Sequence, residues 1–528
     1  MKKVKLPLIL FCLLLFSGCG KAPAVTVTEP KEPEAEVIVS MEEEPVLTYE
    51  VPESIPGILV NQLGYLPGGT KKAVFKGQKI PHVFHVMKEE TGEIVYTGYP
   101  EEEEYDKTKE EYISYGDFSQ IKAEGTYYIE APVLGRSYTF TIAEDIYDEM
   151  FREACKQYYY NRCGMTLTEA FAGSAAHNAC HIGNAVLVDD ISVSMDVTGG
   201  WHQDEKGQKS VVAASGVVAR MCLSYELYKS AFTDDMKIPE SGNGIPDLLD
   251  EMKYEVDWLL KMQDAKTGAV YAGITVYSPG TDASGKSSEI YVEPSSAAAE
   301  KAFAMALAKF SYLYQQYDAK FATTCLKAAD RAYKHALLHE EEADGMLFAA
   351  AAELYRAAGQ QSFHQQITSY LQSNPEKMFA DEMSLIGCVT YISTKHKVRT
   401  DLCEVIMEEL MTRAEEISMA SKEAFYFTCG NAAQDNNAQL LSDMMYLTVV
   451  NYIISNHEYE TVIEDHLHYF LGRNAKAISY VENIGERGYE QSEGSLGLMK
   501  QFETDSKLIF MLSEVVVNGG RNQEERDG

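Results

Sequence analysis

Residues 196–209 read Asp-Val-Thr-Gly-Gly-Trp-His-Gln-Asp-Glu-Lys-Gly-Gln-Lys and bring several chemically useful groups into one short stretch. Gly199 and Gly200 let the backbone turn tightly beside a wall. Trp201 carries a flat apolar face of the kind a sugar ring stacks on. Asp204 and Glu205 are carboxylates that could activate a water. His202 joins Cys163, Cys180 and His181, upstream, as a possible metal set. Two thiolates and two imidazoles suit a closed, tetrahedral structural zinc. Spacing alone also allows plainer readings: a tight turn with a buried tryptophan, solvated surface acids, and buried thiols with surface histidines. Near the other end of the chain, Glu503 is a further carboxylate, in Met499-Lys500-Gln501-Phe502-Glu503-Thr504-Asp505-Ser506-Lys507-Leu508.

These groups need elements to position them. The motif reads as a loop opening onto a helix from Val211 to Tyr228. Ile245, Leu248, Met252, Val256 and Leu259 recur at helical spacing, with Pro246 at a first-turn position. Further helical stretches run Ser295–Tyr314, Phe321–Leu338, Met346–Ala358, Asn437–Ser455 and Glu464–Leu471. About twelve helices, with no strands of consequence, are expected from Tyr147 onward. Between Ile58 and about Ala143 the pattern is one of short alternating strands, such as Lys72–Phe75, His82–Val86, Tyr127–Ile129 and Tyr138–Ile142, with turns at Thr91-Gly92 and Glu124-Gly125. That pattern predicts a β-sandwich of roughly a hundred residues.

The motifs resemble glycoside hydrolase family 9, the inverting endo-β-1,4-glucanases. There the loop reads Gly-Gly-Trp-(Tyr/His)-Asp-Ala-Gly-Asp-x-Gly-Lys, and Gly199, Gly200, Trp201, His202 and Lys209 match it. Ile238–Glu251, Trp258–Gln263, Ala351–Tyr355, and Leu471–Asn474 followed by Ser479–Val481 are also similar to the family. Val60-Asn61-Gln62-Leu63-Gly64-Tyr65, Asp117–Ser119 and Gly125–Tyr128 resemble the immunoglobulin-like domain that precedes many of its catalytic domains. The resemblance implies an Ig-like β-sandwich followed by an (α/α)6 barrel, with Trp201 contacting substrate.

It also exposes a conflict. The family's two aspartates hold and activate the attacking water, and without a gap those positions fall on Gln203 and Lys206. The family's acid position falls on Met499. Its Pro-His-His-Arg segment is missing between Val481 and Met499. Asp204 or Glu205 as base and Glu503 as acid are the nearest substitutes, with Glu490 and Glu493 as alternatives for the acid. The expected function is therefore hydrolysis of β-1,4-glucan or a related plant polysaccharide, lost or altered. The alternative is a non-catalytic glycan-binding lipoprotein on the same fold. Some family members carry a Cys2His2 zinc at positions matching Cys163, Cys180, His181 and His202. Calcium also occurs in the family, but the acidic pattern around Asp344-Gly345-Met346 is eroded and its ligands are not assigned.

The chain's 528 residues give room for two or three domains, and 45% hydrophobic content suits a large core. A net charge of −34 excludes nucleic acid and anionic membrane surfaces as partners. Met1–Lys5 is a basic segment and Leu6–Phe16 a short apolar run ending at Ser17-Gly18-Cys19, which resembles a bacterial lipobox with Cys19 lipidated. The membrane is then a partner through this anchor only, and the protein sits on the outer side of the bacterial cell membrane. The expected organisation is a signal peptide at 1–19, a Pro/Glu-rich tether at 20–56, the sandwich at 57–143, the helical domain at 144–520 and a tail at 521–528. The eight cysteines beyond Cys19 read as small buried residues rather than a disulfide framework.

Overall fold

In the computed structural model, description covers residues 55–519 apart from 205, 278–288, 340–343, 376–377, 380, 431–436 and 489–501. Cys19 and its tether, Glu205, Glu490, Glu493 and Met499 lie outside the described residues.

The first part is a sandwich of two sheets. One has strand order β1 (Ile58–Leu59), β3 (Lys72–Gly77), β7 (Glu111–Asp117), β6 (Glu104–Asp106). The other runs β2 (Gly64–Tyr65), β10 (Phe140–Ile142), β8 (Gly125–Ala131), β4 (Phe84–Lys88), β5 (Ile94–Gly98), with β9 (Gly135–Arg136) beside β8. Alternation puts Val86, Tyr127, Ile129, Phe140 and Ile142 into a core shared with Phe75 and Phe118 from the other face.

Twelve helices longer than one turn follow among the described residues: α1 (Asp148–Tyr160), α2 (Val211–Leu227), α3 (Asp247–Lys261), α4 (Ala297–Tyr314), α5 (Ala319–Ala336), α6 (Gly345–Ala358), α7 (Gln361–Ser373), α8 (Glu382–Ser393), α9 (Thr400–Lys422), α10 (Asn437–Ile454), α11 (His457–Phe470) and α12 (Phe502–Asn518). The even-numbered helices are buried nearly all round, whereas α3, α5 and α9 keep a polar, exposed face. Helices apolar on every side must sit inside. They pack as a ring in the order α2, α4, α6, α8, α10, α12 and back to α2, with the odd-numbered helices outside: this is the (α/α)6 barrel.

Alternation of inner and outer helices makes the inner six parallel, so their N-termini share one end, the barrel mouth. Ser210, Ser296, Asp344 and Asp381 cap α2, α4, α6 and α8 by accepting from backbone amides. The expectation of no strands after residue 147 is corrected. A five-stranded sheet, order β12 (Ser194–Asp196), β11 (Asn184–Leu187), β15 (Glu289–Val292), β14 (Gly273–Tyr277), β13 (Lys209–Ser210), flanks the mouth. Its strands are only two to five residues long; β11–β12 and β14–β15 are antiparallel pairs of sequence neighbours, and β11 and β15 join them in parallel across about a hundred residues, so little local pattern announces the sheet.

The sandwich is latched to the barrel by its opening hexapeptide. Asn61 donates through Nδ2 to Tyr147 Oη (3.1 Å) and lies 3.0 Å from His468 Nδ1. Gln62 donates to the Ala477 carbonyl and accepts from the Arg487 amide. Among the described residues no helix is long and apolar enough to cross a membrane.

Candidate active site and metal centre

The loop before α2 is held from below. Gly199 and Gly200 have φ of +96° and +72°, and a Cβ on Gly200 would come within 2.7 Å of Trp258 Cγ. Glycine is therefore required at 200 by conformation and by space. Trp201 is fully buried. Its amide donates to Glu255 Oε2 (2.6 Å) and its Nε1–H to Glu251 Oε1 (2.7 Å), while Tyr158 and Phe502 pack on the ring. The expectation that Trp201 offers a face to sugar is corrected: the ring anchors the loop instead. Glu251 also accepts from Arg162 Nε, and the Arg162 guanidinium is shared with Glu240. Burial pushes the Glu255 carboxyl up to about 8 against the opposing pull of Lys209.

Gln203 closes the loop on itself. Its Oε1 accepts from the Ser210 amide (2.8 Å) and its Nε2 donates to the Ser210 carbonyl (2.9 Å). A carboxylate could do only the first of these. Asp204 is exposed, and its Oδ1 accepts from the amides of Lys206 and Gln208, each at 3.0 Å. Lys206 is exposed; Lys209 is buried, donating to the carbonyls of Val197 and Gly199 with Trp258 against its ammonium.

The metal set comes together. Backbone bonds from the Cys163 amide to the Gly200 carbonyl and from the His202 amide to the Asn161 carbonyl, both 2.8 Å, fix two of its members side by side. Cys163 Sγ lies 3.6 Å from His181 Nδ1, Cys180 Sγ 3.4 Å from His202 Nε2, and the two imidazole nitrogens 3.3 Å apart. All four ligand atoms fall within 4.8 Å of one another. Zinc bonds of about 2.0–2.3 Å set tetrahedrally need ligand atoms roughly 3.3–3.8 Å apart, so the donor set and its spacing fit the ion. The Cys163 thiol beside it, helped by both imidazoles, holds the Cys180 thiol far below its usual range. Gly207 (φ +82°) is pressed against this centre: a Cβ there would meet His181 Cε1 at 2.5 Å.

Across the mouth, Glu503 stands on the first turn of α12, 57% exposed, its Oε1 3.9 Å from Arg220 Nη2. Arg220 is buried; its Nε donates to Ser506 Oγ (2.8 Å) and its Nη1 to Glu382 Oε2 (3.1 Å). Glu382 also accepts from Ser442 Oγ and pairs with Lys507. Burial alone would raise the Glu382 carboxyl, but Arg220 and Lys507 outweigh it and hold it below the usual range. Sequence reasoning missed Arg220 and Glu382. An arginine inside the run Val211–Leu223, apolar but for Ser215, was the available signal. Asp344 caps α6 and pairs with Lys301, so its carboxylate is already committed. The structure thus unites the metal set and gathers Arg220, Glu382, Glu503 and Lys507, while Asp204 belongs to the separate loop.

The family model described as Glycosyl hydrolase family 9 matches residues 147–493, and that described as Cellulase N-terminal ig-like domain matches residues 53–136. Endoglucanase D of Acetivibrio thermocellus is 28% identical over 467 residues, covering 81% of this chain and 73% of that protein. Among solved structures, a metagenome-derived glycoside hydrolase family 9 endoglucanase superposes with a TM-score of 0.79 at 23% identity, covering 87% of this chain and 98% of that one. A Zn-binding triple mutant of family 9 endoglucanase J30 gives 0.76 at 23%, covering 85% and 99%.

Proposed function

Because the chain belongs to glycosyl hydrolase family 9, we propose that it acts on β-1,4-glucan or a related plant polysaccharide by inverting hydrolysis with displaced carboxylates and a low rate. The observation that carries this is Glu503: its carboxylate is 57% exposed at the mouth, whereas neighbouring Glu382 is held by Ser442, Lys507 and Arg220. Glu503 is the acid; Asp204 or Glu205, on the loop facing it in the family's arrangement, is the base. Loss of a general acid or base costs about 10²–10⁴-fold, so activity on soluble β-glucans is expected several orders of magnitude below a member with both aspartates. A reducing-sugar assay of Asp204→Asn, Glu205→Gln and Glu503→Gln beside wild type tests the assignment. Weak turnover abolished by Glu503→Gln and by one of the loop variants supports it; turnover unchanged in all three refutes it.

A second reading, a non-catalytic glycan-binding lipoprotein, is favoured by Gln203, whose amide bonds in both directions to Ser210 where the family has an aspartate for water. Oligosaccharide binding without any turnover would select it.

Cys163, Cys180, His181 and His202 are read as holding one structural zinc. Bound there, the ion supplies a cross-link between three loop segments and takes no part in hydrolysis. Cys180→Ser is expected to lose the metal by elemental analysis and to lower the melting temperature, because metal binding adds to folding free energy. Cys19 is read as the lipid anchor outside the cell, the membrane being a partner through it alone. Fatty-acid labelling that survives Cys19→Ala would overturn that part.

A further inference from the structure

The inner ring is unevenly closed. Its neighbours touch least between α8 and α10. Between the N-terminal halves of these two helices lies a cavity of about 620 Å³, within the range of small-molecule sites. Its lining includes Glu382 at the mouth and Arg413 on the outer helix α9.

Phe379 and Tyr446 line it as an edge-to-face pair with ring centroids 5.5 Å apart. Tyr446 is 7% exposed, and its hydroxyl has no hydrogen-bond partner among the described residues. An unsatisfied buried hydroxyl is costly, and a ligand oxygen would relieve it. Asp381, Asp443 and the Gln439 amide add acceptors and a donor, and Arg413 lies 2.9 Å from Asp443. An aromatic wall beside carboxylates and an amide suits a sugar ring, whose C–H face packs on the aromatic while its hydroxyls reach the polar groups. Asp381, Glu382 and Asp443 in the lining are matched by three cations, Arg413 beside Asp443 and Arg220 and Lys507 on Glu382. No positive charge is left over for an anionic sugar.

We propose that this cavity is a subsite for a neutral sugar branch projecting from a β-linked glucan that lies across the mouth, so that the protein prefers branched over linear chains. A chain crossing the mouth passes over this cavity; only a side group or a chain end can turn into it. This rests on the glycan-directed reading above.

The test is calorimetric titration of the full chain with cellotetraose and with the same backbone carrying single xylosyl branches. The branched ligand is expected to bind at least about tenfold more tightly. Phe379→Ala and Gln439→Ala should erase that advantage and leave linear binding unchanged. Tyr446→Phe keeps the ring and removes only the hydroxyl. It should lower the advantage severalfold without lowering the thermal midpoint, which separates a binding role from a fold defect. Equal binding of both ligands to wild type, or an advantage untouched by all three variants, overturns the proposal. So does equally tight binding of a glucuronic-acid-branched ligand, which would contradict a neutral sugar. Binding of neither ligand sinks the glycan-directed reading as well, whereas linear binding without preference sinks this inference alone.

Discussion

Trp201 gives both of its N–H donors to buried carboxylates, the amide to Glu255 and the indole to Glu251. Trp201→Phe keeps most of the ring and removes one charge-assisted bond. It is expected to cost about 1–3 kcal/mol of stability, read as a shifted denaturant midpoint, and to leave soluble-glucan binding unchanged. A loss of binding at unchanged stability would return the ring to the substrate. The residue's type was legible in the sequence but its direction was not. A tryptophan beside two glycines serves equally as a platform or an anchor, and the choice was made by Glu251 and Glu255, fifty residues away on α3. The metal set was legible for the opposite reason: Cys163, Cys180, His181 and His202 are of types that carry their chemistry with them, and the fold had only to bring them within 4.8 Å. Arg220 and Glu382 went unseen because their meaning is a pairing across 162 positions.

At the scale of elements, α12 carries a buried acid with a pH signature. Burial, reinforced by Glu464, pushes the Glu514 carboxyl up to about 8. The unfolded chain loses this proton near the ordinary glutamate value of about 4.3, so between there and about 8 unfolding releases a proton and stability falls as pH rises. Glu514→Gln removes the penalty and can still accept from Asn451 Nδ2. Its stability advantage over wild type should be small at pH 5, grow through pH 7 and level off above about 8; denaturant midpoints at pH 5, 7 and 9 measure it, and a constant difference would refute the assignment. Buried helices such as α4 and α6 were legible from their apolar runs. α8 and α9 were not: α8 is short, and the first turn of α8 is polar because Asp381 and Glu382 serve the mouth. The strands β11 to β15 escaped because each is only two to five residues long and the sheet is joined by a parallel pairing of β11 with β15 at long range, which leaves no local pattern.

At the scale of the whole molecule, a net charge of −34 works against compaction. Raising sodium chloride to about 0.3 M should screen it and raise the melting temperature, provided metal content is held fixed; a flat response would mean that the acids are already locally compensated. The hexapeptide Val60–Tyr65 was legible as a motif, but what it does is visible only with both domains in place. Asn61 and Gln62 reach across to Tyr147, His468 and Ala477. The closing of the ring has a further consequence in time. α12, at residues 502–518, fills the gap between α10 and α2, although α2 begins at Val211. Contacts so distant in sequence form late and slowly. Until the last helix arrives, α2 and α10 must each present an apolar flank to water. The nascent chain is therefore most prone to aggregate just before its final helix docks, and a pulse-labelled refolding intermediate should show its unprotected amides along those two flanks.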